Sequence, residues 1–230
     1  MRDGASRVRA ILFDLDGTLI NTTELILRCF DHSWRSVLGC ENTRQALIET
    51  FGMPLKDAMV RLLAAREPNG KKVNDDRLVG RLLAEYRSFN LSNHDALASG
   101  FDGVNGVMIE LRGRGYRTGV VTSKSRELAT RGLRLCGLES LIDTAVFLED
   151  TARHKPGPEP ILAALDRLKT APFEAAYVGD SCHDIVAGRA AGVVTVAALW
   201  GPFPRTALEC ERPDFLAESV EELLEIFPRL

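Results

Sequence analysis

Short, continuously apolar runs, each closing on a polar turn, recur along this chain and alternate with stretches of helical periodicity. The runs fall at Ala10–Phe13, Thr118–Val121, Ala145–Leu148, Ala175–Val178 and Val193–Leu199. Four to seven apolar residues without alternation match strands buried on both faces. Between them, Val104–Arg114, Arg126–Leu135, Pro160–Lys169 and Asp184–Ala191 carry helical spacing, with Gly or polar punctuation as in Arg112-Gly-Arg-Gly115 and Cys136-Gly137. The alternation predicts an α/β fold, a parallel sheet covered by helices on both sides.

The rhythm breaks once. Residues 22–91 hold no convincing strand and several helices: Ile26, Phe30, Trp34 and Val37 form one stripe, Met59, Leu62 and Leu63 a second, and Leu78, Leu82, Tyr86 and Phe89 a third. The stripes are read as core packing. A helical insert after the first strand of an α/β core is a cap, so the expected division is a core of residues 1–21 and 92–230 with a cap of residues 22–91. Asn21–Thr23 and Asn90–Phe101 are its expected hinges, and Glu67–Asp76 is an expected polar loop.

Size and charge narrow the class. A chain of 230 residues, 45% hydrophobic and 27% charged, builds one large core with room for a smaller insert. Its net charge of −3 lacks the electrostatic footprint of a general nucleic-acid binder. No apolar run approaches the roughly 20 residues of a membrane span, and the first ten residues lack a signal-peptide core. Five scattered cysteines without a CxxC pair suggest reduced thiols and a cytoplasmic protein.

Four strand ends carry residues with chemistry. Asp14-Leu-Asp16-Gly-Thr18 places two carboxylates at i and i+2, on one side of an extended segment. They can bind a hard cation, divide nucleophile and acid–base work, or close the strand as an Asx-type turn. Gly17 lets the backbone N–H groups approach an anion. Thr122-Ser123-Lys124 ends the next strand, where hydroxyls either bind a phosphate oxygen or cap the following helix. Lys155, ahead of Pro156-Gly-Pro158, is either a fixed positive charge for a phosphoryl group or a solvated surface lysine. Gly179-Asp180-Ser-Cys-His-Asp184 sets two aspartates at i and i+4, able to share a cation or to cap a helix. Cys182 and His183 are adjacent and lack two further zinc ligands. His32 and His94 have no partner suggested by spacing and default to solvated contacts. Together, the four strand ends describe a magnesium site facing a phosphate site at the ligand-binding edge of an open sheet.

In these four motifs and their order the chain resembles the haloacid dehalogenase superfamily of phosphohydrolases, over essentially its whole length. The insert resembles the helical cap of the phosphoglycolate phosphatase-like group. The resemblance implies a Rossmann-like, three-layer αβα core with a mobile lid. It makes Asp14 the nucleophile that forms an aspartyl-phosphate, and Asp16 the acid–base that protonates the leaving oxygen and then activates water. Thr122 and Lys155 hold phosphoryl oxygens, with Gly17, Thr18 and Ser123 also at the substrate. Mg²⁺ is bound by Asp14, the main-chain carbonyl of Asp16, and Asp180, with Asp184 supporting directly or through water. Asp16 separates the chain from dehalogenases and from transport ATPases.

Finer likeness points to the bacterial inorganic pyrophosphatase branch, through Leu19-Ile-Asn-Thr22, Tyr86-Arg-Ser-Phe-Asn90, His94-Asp95, His183-Asp184-Ile185 and Pro213-Asp-Phe215. Cys182 departs from that branch, which commonly has a larger polar residue there. The expected activity is Mg²⁺-dependent hydrolysis of a small phosphorylated metabolite, pyrophosphate ahead of 2-phosphoglycolate. The alternative is a sugar phosphomutase of the β-phosphoglucomutase type, whose cap would need extra basic and hydroxyl groups; Glu49–Lys56 offers one lysine and no arginine. A binding module that has lost activity is the third reading.

Overall fold

The computed structural model describes residues 7–66 and 75–230, so all but the last two residues of the expected polar loop lie outside it. Six strands form one parallel sheet: β1 (Ala10–Phe13), β4 (Arg117–Val121), β5 (Thr144–Val146), β6 (Ala175–Gly179), β7 (Val194–Ala198) and β8 (Phe215–Ala217), in the order β5-β4-β1-β6-β7-β8. The first strand is thus central, with β4 and β6 beside it in register Phe13↔Val120 and Phe13↔Val178. Period-two alternation sends Ile11 and Phe13 into one core and Ala10 and Leu12 into the other. The second core is closed by α7 (Glu159–Leu168) and α8 (Cys182–Ala191), through Ile161, Leu165 and Ala187. On the opposite face lie α5 (Val104–Gly113) and α6 (Arg126–Leu135), which bury Met108, Leu111 and Leu133. The three-layer αβα expectation holds.

Two differences have local causes. The sixth strand, β8, is absent from the sequence reading because only three residues pair and Pro213 and Asp214 precede them. The last helix of the fourth motif begins at Cys182, two residues before the expected Asp184. Ser181 is its N-cap, and Asp184 completes a capping box by accepting from the Ser181 N–H.

The insert consists of α1 (Thr23–Leu38), α2 (Arg44–Ile48), α3 (Leu55–Ala64) and α4 (Asp76–Leu97) among the described residues. Helices α1 and α4 pack along their length, with Phe30 edge-on to Tyr86 at 5.1 Å between ring centroids and Trp34 fully buried. The helix α4 runs through the expected boundary at residue 91, so Asn90 and His94 are helical and the return to the core shortens to a few residues. There β2 (Ile20–Asn21) and β3 (Ser99–Gly100) pair antiparallel, binding the two crossing segments of chain together at the expected hinge. No helix among the described residues is long and apolar enough to cross a membrane.

His94 corrects the expectation of a solvated histidine. It is fully buried at that hinge, with Nδ1 on Asp95 Oδ1 at 2.9 Å, and Asp95 in turn holds Arg131 of α6 at 2.8 Å. Its Nε2 has no partner among the described residues. Burial lowers the pKa of His94 against the pull of the Asp95 hydrogen bond, and nearby Lys124 and Arg131 add to the lowering. The folded state therefore excludes a proton that the unfolded chain takes up near pH 6.5. The associated stability is complete above that pH and is lost as the solution is acidified below it. In His94→Gln, the decline of the urea midpoint between pH 6.5 and 5 becomes shallower than in the parent; an identical slope would contradict this role.

Candidate active site

Asp14 directly follows β1, its N–H continuing the ladder to Val178 O at 2.9 Å. The chain then turns sharply: Leu15 O accepts from Leu19 and Ile20 N–H, and Gly17 adopts φ +88°. A Cβ on Gly17, or on Gly201 of the loop after β7, would overlap the Asp180 carboxylate. The two glycines form a cradle that admits this acid beside Asp14. Thr18 Oγ1 donates to Asp180 Oδ1 at 2.7 Å, and Trp200 Nε1 donates to Thr18 O at 3.0 Å. The Thr18 hydroxyl, expected at the substrate, is thus a buried support for Asp180.

Ligand oxygens of Asp14, Asp180 and Asp184, all buried, lie within 4.8 Å of one another. Lys155, itself buried, joins two of them: Nζ donates to Asp14 Oδ1 at 2.8 Å and to Asp184 Oδ1 at 2.7 Å. Tyr177 Oη at 3.0 Å and Val121 O at 3.4 Å complete its surroundings. Its three hydrogens are thereby engaged within the protein. Burial alone would discharge Lys155, but Asp14 and Asp184 outweigh it and hold the ammonium above the ordinary lysine range. Burial pushes Asp14 up to about 7 although Lys155 pulls it down. Asp180 is raised well above the carboxylate range by burial, then by the charges of Asp14 and Asp184. Asp184 is lowered: burial opposes this, but Lys155 and Ser181 prevail, the latter donating through N at 3.0 Å and Oγ at 2.5 Å.

Asp16 stands apart from that cluster. Its Oδ1 accepts from Lys124 Nζ at 2.6 Å and Thr22 Oγ1 at 2.7 Å, while Oδ2 has no protein partner among the described residues. One oxygen of the Asp16 carboxylate is thus tied to the core and to the start of the insert, while the other stays free at the cavity. Thr122 Oγ1 accepts from the Lys124 N–H at 3.1 Å, leaving its own hydrogen free to donate. Ser123 Oγ, expected at the substrate, donates to Gly52 O of the insert at 2.7 Å, and the residue stands in the wall of the cavity between insert and sheet edge.

A cavity of about 140 Å³ lies between the insert and the sheet edge. Asp14, Asp16, Thr122 and Lys124 line it from the core; Phe30, Phe51, Met53, Tyr86 and Asn90 line it from the insert. The expected Asp14, Asp16, Thr122, Lys155, Asp180 and Asp184 therefore converge on one place. Tyr177 is additional, and Lys124 and Thr22, present in the sequence motifs without an assigned role, join the site. Tyr177 was hidden inside an apolar run, although a tyrosine in a fully buried strand signals a hydroxyl that needs partners. Tyr177→Phe, which leaves Lys155 and Asp184 one partner short, is expected to cost about 1–3 kcal/mol in urea unfolding; no change would show the hydroxyl to be dispensable.

Oxygen-only donors around a buried acid cluster suit a hard cation, and a hydroxyl-lined cavity above a buried nucleophile candidate suits phosphoryl chemistry. The comparisons agree with that chemistry. A sequence model described as haloacid dehalogenase-like hydrolase matches residues 11–198. A protein of Bacillus pumilus named pyrophosphatase PpaX is 37% identical over 96% of this chain and 97% of its own. A protein of the same name from Bacillus cereus is 36% identical over 97% of this chain and 98% of its own. In fold, the chain is similar to a crystal structure from Haemophilus somnus described as a predicted phosphoglycolate phosphatase, with a TM-score of 0.85, 21% identity and coverage of 96% and 99%. It is also similar to a haloacid dehalogenase-like family hydrolase from Streptococcus pneumoniae, with a TM-score of 0.82, 23% identity and coverage of 97% and 100%. Matched along nearly its full length in sequence and in fold, the chain belongs to the haloacid dehalogenase-like hydrolase family.

Proposed function

We propose that this enzyme hydrolyses a small phosphorylated metabolite through an aspartyl-phosphate on Asp14, with pyrophosphate ahead of 2-phosphoglycolate. The observation that carries the reading is the buried Asp14 at the floor of a small cavity, with Lys155 and two further carboxylates behind it. A carboxylate approaching a phosphate dianion is repelled unless positive charge cancels the repulsion. The three carboxylates fit Mg²⁺, which would be held by Asp14, Asp180 and the Asp16 carbonyl. Asp184 would act through water, since its oxygens already accept from Lys155 and Ser181. The ion would supply charge neutralisation between nucleophile and phosphoryl group.

The chain's own groups do the rest. Asp14 attacks phosphorus, and Thr122 donates its free hydroxyl hydrogen to a phosphoryl oxygen. Asp16 is held through Oδ1 by Lys124 and Thr22, so Oδ2 is the atom that gives a proton to the leaving oxygen and later takes one from water. Lys155, engaged by two aspartates, orients Asp14 and balances its charge. Closure of the insert over the site would keep bulk water from the intermediate.

Cavity size favours a small substrate. About 140 Å³ lies below the roughly 300 Å³ at which pockets for larger organic ligands begin. That space suits a phosphate or a two-carbon acid as leaving group rather than a hexose. Lys56, the lysine of the cap loop, pairs with exposed Asp76 at 3.7 Å and does not line the cavity, which weakens the mutase alternative. The names of the sequence relatives support pyrophosphate, and five free cysteines suit a cytoplasmic setting.

Phosphate release from pyrophosphate, 2-phosphoglycolate, sugar phosphates and nucleotides, with Mg²⁺ or EDTA, tests the assignment. Mg²⁺-dependent release with pyrophosphate preferred is expected; preference for another ester would remove the anhydride assignment, and a required bis-phosphate activator would favour the mutase. Asp14→Asn is expected to keep the parent's circular dichroism and lose turnover, and appreciable residual turnover would sink the nucleophile assignment.

A further inference from the structure

Resting on the phosphatase reading, a second question is which group reads the part of the substrate that leaves. Lys155 has its hydrogens engaged by Asp14, Asp184 and their neighbours, and it does not line the cavity. The cations that do line it are Lys124 and Arg87. Lys124 reaches the cavity from the second motif with its side chain only 9% exposed, and its one side-chain acceptor among the described residues is Asp16 Oδ1. An ammonium carries three hydrogens, so two remain for another acceptor in a space shielded from water. Asn90 stands in the same wall, 2% exposed, with Oδ1 lacking a partner among the described residues. Arg87, one turn earlier on α4, is exposed at the rim and has no ion-pair partner among the described residues. Elsewhere the wall offers hydroxyls, among them Thr122 beside the nucleophile, and apolar side chains such as Ile26, Phe30, Leu55 and Leu128, but no further cation among the described residues.

We propose that Lys124, seconded by Arg87 at the rim, forms an anion subsite that selects substrates whose leaving group carries its own negative charge, a second phosphate or a carboxylate. Lys124 then has two tasks at one atom. It holds Asp16 Oδ1, so that Oδ2 faces the bond to be broken, and it binds the charged tail of the departing group. An uncharged tail of equal size leaves two buried ammonium hydrogens unpaired, which is the stronger form of discrimination.

The test compares 2-phosphoglycolate and pyrophosphate with ethyl phosphate, which matches phosphoglycolate in size and lacks the carboxylate. The readout is kcat/KM for the preferred charged-tail substrate divided by kcat/KM for ethyl phosphate. Lys124→Met is expected to lower that ratio about 100-fold, the order of removing one partner of a buried charge pair, and Lys124→Arg to recover part of it. Arg87→Met, at an exposed position, is expected to lower the ratio about 5-fold through KM. Should Lys124→Met fail to fold by circular dichroism, Lys124→Arg and Arg87→Met decide the question. Equal losses on charged and uncharged tails would overturn the subsite and reduce Lys124 to a support for Asp16, and an unchanged ratio would also overturn it. A parent enzyme that releases phosphate from none of the three would overturn the phosphatase reading instead.

Discussion

Three carboxylates and one ammonium are buried together at the end of the central strand, and most of the surrounding structure serves to keep them there. Removing such charges from water costs several kcal/mol each unless partners replace the lost solvent. Lys155 answers two of the acids directly, Ser181 and Tyr177 add hydrogen bonds to Asp184, and Thr18 holds Asp180. The balance stays incomplete, because burial leaves Asp14 and Asp180 with raised pKa values. That deficit of positive charge is what a divalent cation at the proposed site would cancel.

The second organising contact is the closure of the insert over that cluster. Ser123 reaches across to the carbonyl of Gly52, and Thr22, at the start of α1, donates to Asp16. Each contact joins a motif of the sheet edge to the insert. The paired strands β2 and β3 and the His94–Asp95–Arg131 chain fix the hinge beneath. A cavity of small volume with two lining cations results, and its chemistry differs from that of the floor: charge below is balanced within the protein, whereas Lys124 and Arg87 retain hydrogens for a ligand.

Much of this was legible before any coordinates. The parallel sheet follows from continuous apolar runs, which only strands covered on both faces can bury. The four motifs follow from polar residues placed directly after those runs, since a strand end in such a sheet points to the ligand edge. Where the reading failed, the determining interaction was distant in sequence. β8 exists because Val196 to Ala198 offer it a pairing edge. The polar end of α4 stays helical because packing on α6 buries His94 beside Gly132. Thr18 occupies its expected motif, yet its hydroxyl serves Asp180, a partner 162 residues away.

The sequence by itself determined the sheet, the helical insert and the polar residues that gather at the sheet edge, because periodicity and strand-end motifs are local properties of the chain. The tertiary structure decided which charges neutralise one another. It alone showed that Lys155 is consumed by Asp14 and Asp184, that Asp16 is anchored by Lys124 and Thr22, and that Lys124 faces the cavity. Electrostatic partnership depends on distances of a few ångströms between residues up to 162 positions apart, and no spacing rule within a single motif encodes it.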